Sequence, residues 1–254
     1  MVESPPHPHL AKLLRGADRI LVFTGAGIST DSGIPDFRGP QGVWKTRQPV
    51  YFQDFLRSAE ARVEHWEFKL ESWPVIRDAR PTPTHRAIAA LESAGKVELV
   101  VTQNVDGLHA RAGTSANRLV EIHGSNAEVV CLTCGERSDP ESHMQAFEIT
   151  RKPPHCACGG LLKTATISFG QDLVADDLYR ASAAAETCDL VLALGSTLSV
   201  YPAAGVPLAA VARNVPYVII NRGATEHDDR PGVTLRLDGD VQDLFPPALE
   251  AAIR

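Results

Sequence analysis

The chain has 254 residues, 44% of them hydrophobic, which is enough to build a core without disulfides. Its 25 basic and 31 acidic residues leave a formal charge of -6, so it has no general field for nucleic acid or an anionic membrane. The opening "MVESPPHPHLAKLLRG" lacks the basic start and apolar core of a secretory signal, and no apolar run approaches about 18 residues, so a cytoplasmic protein is expected.

In chain order, "RILVF" (19–23) reads as a strand buried on both faces. The stretch "FTGAGISTDSGIPDFRG" (23–39) then opens like a dinucleotide-binding turn with Gly25 and Gly27 but has Thr30 where the third glycine belongs. The acidic residue expected about 20 positions on, to hold a ribose, would fall in "QPVYFQ", which has none. Residues 40–80 carry all three tryptophans and read as helices and loops. Phe55, Val63, Trp66, Phe68 and Leu70 are spaced imperfectly for one amphipathic face. "THRAIAALESAG" reads as a helix with Thr84 as N-cap and Gly95 as its stop.

"VELVV" (97–101) is a second strand, followed by "TQNVDGLH" (102–109). The loop at the carboxyl end of a parallel strand is where ligands bind, which makes Gln103, Asn104 and Asp106 candidates to recognise a polar heterocycle and its sugar. An ordinary Asn/Asp turn is the alternative. In "LVEIHGSN", His123 ends a short apolar run ahead of Gly124, as a structural histidine or as a general base.

Four of the five cysteines lie between 131 and 158, as Cys131-x-x-Cys134 and Cys156-x-Cys158. Two close sulfur pairs on tight turns suit tetrahedral zinc. The ligands are the four cysteines or, in place of Cys156, His155, and no acidic or histidine cluster nearby points to an open coordination position, so the zinc is structural. Cys188 reads as a buried small hydrophobe. "DDLYRASAAAE" and "PAAGVPLAAVAR" have helical composition, and "DLVLALG" (189–195), "YVIIN" (217–221) and "VTLRL" (233–237) are further strands. Strand–helix alternation of this kind predicts a doubly wound parallel sheet in the α/β class, with 40–80 and 125–165 forming a smaller second domain.

"GAGIS", "PDFRG", "TQNVDGLH", "HG" eight residues before C-x-x-C, and "GSTLSVYPAA" occur in the order seen in the sirtuins, NAD-dependent protein lysine deacylases. The resemblance covers about residues 15–245. "GIPDFRGPQGVW" and "TEHDDRP" look most like the branch that includes the chromatin-acting nuclear sirtuins, and a composition rich in alanine and arginine but poor in lysine points to a bacterial member. The resemblance implies a Rossmann-like NAD-binding domain from 1–39, 81–124 and 166–254. The small domain would consist of a helical part (40–80) and a zinc module (125–165).

NAD is then a co-substrate to be broken. Gly25, Ala26 and Gly27 would take its pyrophosphate through backbone N–H groups, and Asp36, Phe37 and Arg38 belong to the loop closing over the nicotinamide ribose. Gln103, Asn104 and Asp106 fall in the nicotinamide and ribose pocket. Gly195 and Ser196 lie on the adenosine side, Asn221 and Arg222 at the adenine ribose, and Val241 near the adenine through its backbone.

By the same resemblance the acyl-lysine carbonyl oxygen attacks C1′ and expels nicotinamide. His123 is the general base on a ribose hydroxyl, Asn104 orients a water or the ribose, and O-acyl-ADP-ribose is the product. Ser168, Phe169 and Gly170 border the acyl-lysine channel, although "SFGQ" departs from the commoner "FGE". Sirtuins that prefer succinyl- or malonyl-lysine share a Tyr-x-x-Arg pair after "WEF", where this chain has Lys69 and Ser72, so acetyl-lysine or a longer uncharged acyl-lysine is expected; Lys69 facing solvent would give the same preference. The implied partner is an acyl-lysine protein or peptide, with no membrane or direct nucleic-acid partner. Two other readings are an NAD-dependent ADP-ribosyltransferase and a non-catalytic NAD-responsive binding module.

Overall fold

The computed structural model describes residues 7–36 and 42–253. Its larger sheet has six parallel strands in the order β3-β2-β1-β7-β8-β9: β1 (Ile20–Thr24), β2 (Val97–Thr102), β3 (Leu119–Glu121), β7 (Leu190–Leu194), β8 (Tyr217–Asn221) and β9 (Val233–Asp238). β1, β7 and β8 are buried at every position, as their unalternating apolar runs require of strands covered on both faces. One core layer gathers Leu10, Val22, Ile88, Val100, Leu192 and Phe245, and the opposite layer Phe23, Val101, Ala184, Val191, Ile219 and Tyr217.

The helices covering these faces are α1 (Pro8–Gly16), α4 (Pro83–Ser93), α5 (Leu108–Ala112), α7 (Ala175–Thr187), α8 (Gly205–Val211) and α9 (Val241–Ile253). α4 starts earlier than the sequence suggests. Thr82 is its N-cap, with Pro83 in the first turn and a capping box closed by His85, while Thr84 is buried inside the helix and its N–H donates to Gln242 Oε1 at 2.9 Å. A Thr-Pro-Thr start offers two caps, and proline at the first helical position selects the residue before it. Gly95 does end the helix, at φ +76°.

The second sheet is antiparallel, in the order β5-β4-β6, from β4 (Gly124–Cys131), β5 (Arg137–Ser138) and β6 (Leu162–Thr166). It packs with α2 (Phe52–Arg57), α3 (Ala59–Asp78) and α6 (Pro140–Thr150). Trp66 of α3 is fully buried among Val129, Cys131, Met144, Phe147 and Leu162, which joins the helical stretch to the cysteine-bearing one. Trp73 Nε1 donates to Glu141 Oε2 across the same seam at 2.6 Å. Strand order reverses between β1 and β7, because the chain leaves β1 toward β2 on one side and returns to β7 on the other. The crevice outside the carboxyl ends of these two strands is the ligand position of such sheets.

Candidate active site

The glycine loop leaves β1 and presses against the end of β7. A Cβ on Gly25 would lie 2.7 Å from the Gly195 carbonyl oxygen and 2.8 Å from Ser196 Cβ, and one on Gly27 would lie 2.8 Å from Gly195 Cα. The Gly25 N–H donates to Leu194 O at 3.1 Å and the Gly27 N–H to Gly195 O at 2.9 Å. Both glycines therefore serve close strand-to-loop approach, and their N–H groups also hydrogen-bond within the protein. The Ala26 N–H between them donates to no carbonyl among the described residues.

The loop after β2 meets this turn directly. Asn104, 6% exposed, donates through Nδ2 to Gly25 O and to Ser29 Oγ, both at 3.1 Å. Ser29 Oγ in turn donates to Asp106 Oδ2 at 2.7 Å, and the Leu108 N–H donates to Asp106 Oδ1 at 2.8 Å. Burial raises the Asp106 pKa, opposed by these two hydrogen bonds. Burial, with Asp106 nearby, also pushes Glu121 up to about 7. Gln103 bridges to β7, its Nε2 donating to Ser196 Oγ at 2.8 Å.

His123 sits in the turn between β3 and β4, with Nδ1 3.2 Å from the Gln103 carbonyl. A carbonyl accepts only, so Nδ1 carries the proton and the basic lone pair is on Nε2. The His123 carbonyl takes the Ile167 N–H at 2.7 Å, which brings Ser168, Phe169 and Gly170 beside the histidine. Gln171, the departure from an acidic residue, caps this turn by accepting from the Ser168 N–H at 3.1 Å. Phe169 O receives the Phe52 N–H at 2.9 Å, and the Tyr51 and Phe169 rings lie 5.9 Å apart.

Asn221, Arg222 and Val241 stand further along the same sheet edge. The Gly195 N–H donates to Ile220 O at 2.9 Å, Asn221 is buried, and Arg222 pairs with Asp240 at 2.5 Å. The Val241 side chain is in the core, so only its backbone remains for a ligand. Asp36 accepts the Val43 N–H through its carbonyl at 3.0 Å. Phe37 and Arg38 lie outside the described residues.

Ser29 stands inside "GAGIS" without any sequence signal of its own, and only the fold shows that it joins Asn104 to Asp106. Lys69 does not face solvent. It is 9% exposed and donates to Asn126 Oδ1 at 2.8 Å, while Lys163, 1% exposed, donates to the carbonyls of Thr164 and Thr166. Burial lowers both pKa values to about 7, and each amine has neutral oxygens as its hydrogen-bond partners. Ser72 Oγ donates to the main-chain carbonyl of Phe68 at 2.9 Å.

The Sγ atoms of Cys131, Cys134, Cys156 and Cys158 all lie within 4.8 Å of one another, with Cys131–Cys158 at 3.6 Å and Cys134–Cys156 at 3.7 Å. Four sulfurs at about 2.3 Å from one zinc ion stand at such separations. None of the four is in a disulfide, and the exposed His155 pairs with Leu161 in a β-bridge outside the group. The donor set fits a structural zinc site of four cysteines.

Residues 25–202 match the family model described as the Sir2 family. An NAD-dependent protein deacetylase of Rhodopseudomonas palustris is 43% identical over 230 residues, covering 90% of this chain and 91% of that protein. One from Haloarcula marismortui is 38% identical over 245 residues, covering 95% and 92%. A solved complex of Sir2 with a p53 peptide and NAD+ superimposes with a TM-score of 0.85 at 35% identity, covering 97% of this chain and 98% of that one. The glycine loop, His123 beside the Gln103 carbonyl and the four-cysteine cluster thus coincide with similarity along nearly the whole length, and the chain belongs to the Sir2 family.

Proposed function

We propose that this Sir2-family chain is an NAD-dependent protein lysine deacetylase in which His123 is the general base. The observation that carries the reading is the join at the switch point. The glycine loop, Asn104, Ser29 and Asp106 form one hydrogen-bonded unit, and the Gln103 main chain beside it fixes the His123 tautomer.

In the reaction the carbonyl oxygen of the acyl-lysine attacks C1′ of the nicotinamide ribose, and the C1′–N bond breaks with release of nicotinamide. His123 Nε2 takes the proton of a ribose hydroxyl, whose oxygen adds to the acyl carbon. Water completes the release of the lysine amine, leaving O-acyl-ADP-ribose. Asp106 and Ser29 act as a brace for the loop, since their polar atoms are engaged with each other and with the protein. Both amide protons of Asn104 are likewise engaged, which leaves its oxygen to orient a ribose hydroxyl or water.

Ser168, Phe169 and Gly170 border the acyl-lysine. Gly195, Ser196, Asn221, Arg222 and the Val241 backbone receive the adenosine half, and Asp36 contributes to holding NAD. Cys131, Cys134, Cys156 and Cys158 would hold the zinc ion, which organises the small sheet and takes no part in the chemistry. The NAD-binding unit comprises 1–39, 81–124 and 166–254, and the small unit 40–80 and 125–165. The partner is an acyl-lysine protein or peptide in the cytoplasm. Among the described residues no helix is long and apolar enough to cross a membrane.

NAD labelled in its adenylate half, incubated with enzyme and an acetyl-lysine peptide, separates this reading from ADP-ribosyl transfer to protein. Label in a small-molecule product that depends on the acetyl group supports deacetylation. Label retained on protein would support the transferase instead.

A further inference from the structure

Two buried imidazoles lie beside the glycine loop and outside the reaction centre. His85 of α4 and His109 of α5 are 0% and 2% exposed, and their rings meet edge to face with centroids 4.9 Å apart. Each ring has one nitrogen engaged with a threonine. His109 Nε2 hydrogen-bonds with Thr24 Oγ1 at 2.9 Å. The Thr82 N–H donates to His85 Nδ1 at 3.2 Å, and the Thr82 hydroxyl, 2.8 Å from that nitrogen, reaches the Ile28 carbonyl at 2.9 Å. The remaining nitrogens, His85 Nε2 and His109 Nδ1, are buried without a hydrogen-bond partner among the described residues.

An orphaned ring nitrogen in the core costs stability, and an apolar side chain of similar size would fill the space without that cost. Packing therefore does not account for two histidines. What they supply is a pair of nitrogens that fix Thr24 and Thr82. Thr24 ends β1, and Ile28, reached through Thr82, ends the glycine loop, so the two contacts bracket Gly25, Ala26 and Gly27. Burial holds the His85 pKa down at about 4 and that of His109 well below the usual histidine range, so the pair stays neutral across the neutral pH range.

We propose that His85 and His109 are positioning residues for the dinucleotide, a contacting imidazole pair that holds both ends of the glycine loop in the spacing its pyrophosphate requires. The inference rests on the reading of that loop as the NAD site. The asymmetry of the contacts gives a crossed test. The Asn side-chain oxygen overlies Nδ1 of histidine and the Gln amide overlies Nε2, so His85→Asn and His109→Gln keep the threonine contact, whereas His85→Gln and His109→Asn lose it.

Steady-state kinetics with NAD and an acetyl-lysine peptide, together with melting temperatures, give the readout. Loss of the contact raises KM for NAD about tenfold, as expected for one hydrogen bond, with KM for the peptide unchanged, while the two retaining variants stay within about twofold. Equal behaviour of all four variants, or a fall in melting temperature with KM for NAD unmoved, would overturn the proposal. Either histidine's pair suffices, so a variant that does not fold leaves the other to decide. If the unaltered chain releases no nicotinamide from NAD, the reading of the loop fails and the clamp fails with it; if it does and the crossed pattern is absent, the clamp alone fails.

Discussion

The Gln103 carbonyl holds His123 Nδ1, and the proposed mechanism uses the other ring nitrogen as the base. His123→Ala is expected to lower deacetylation by roughly 10²- to 10⁴-fold while NAD binding and melting temperature stay close to those of the unaltered chain. Unchanged turnover would remove His123 from the mechanism. Lys69 and Lys163 carry a different expectation. With folded pKa values lowered to about 7 against an ordinary 10.5, the unfolded chain binds more protons than the folded one between those values, so stability rises as pH is raised from about 7 toward 10.5. The slope reaches up to about 1.4 kcal/mol per pH unit for each lysine, and urea unfolding of Lys69→Met across this range should show a shallower slope. Parallel slopes would mean that Lys69 stays charged in the fold. The residues of "TQNVDGLH" and His123 were legible because their motif order is specific, whereas Ser29, Thr24 and Thr82 were not, since a hydroxyl at a strand end or helix cap has no periodicity. His85 did leave a trace, standing three residues before Ile88 and six before Leu91 on the buried face of its helix.

At the scale of elements, the strands of the parallel sheet read clearly because burial on both faces demands unbroken apolar runs. The small sheet did not: β4 alternates buried and partly exposed positions only loosely, β5 has two residues, and the β4–β6 register shifts between Gly124 and Val129. What holds this unit is the sulfur cluster and the Trp66 core. Metal analysis should find about one zinc per chain, and a strong chelator or Cys131→Ala should lower the melting temperature and favour aggregation, because zinc binding is coupled to folding. Folded, active and zinc-free protein would contradict the centre. Since His155 lies outside the cluster, His155→Ala should retain the metal that Cys156→Ala loses.

In the whole molecule, the glycine loop follows β1 of the large sheet, His123 sits in the turn that leads into β4 of the small sheet, and Asn126 of β4 holds the buried Lys69. Lys69 is committed to Asn126 and Ser72 to its own helix, and neither presents the two-pronged donor that fits a carboxylate. Acetyl-lysine peptide is therefore expected to have a higher kcat/KM than matched succinyl-lysine peptide, and the reverse order would show that another cation serves the channel. The central claim is that the acyl group passes from lysine to ADP-ribose. Weighing the products of NAD and an acetyl-lysine peptide by mass spectrometry tests it most directly. The account predicts nicotinamide, deacetylated peptide and O-acetyl-ADP-ribose in equal amounts; free ADP-ribose, or ADP-ribose joined to protein, with the peptide still acetylated would contradict it.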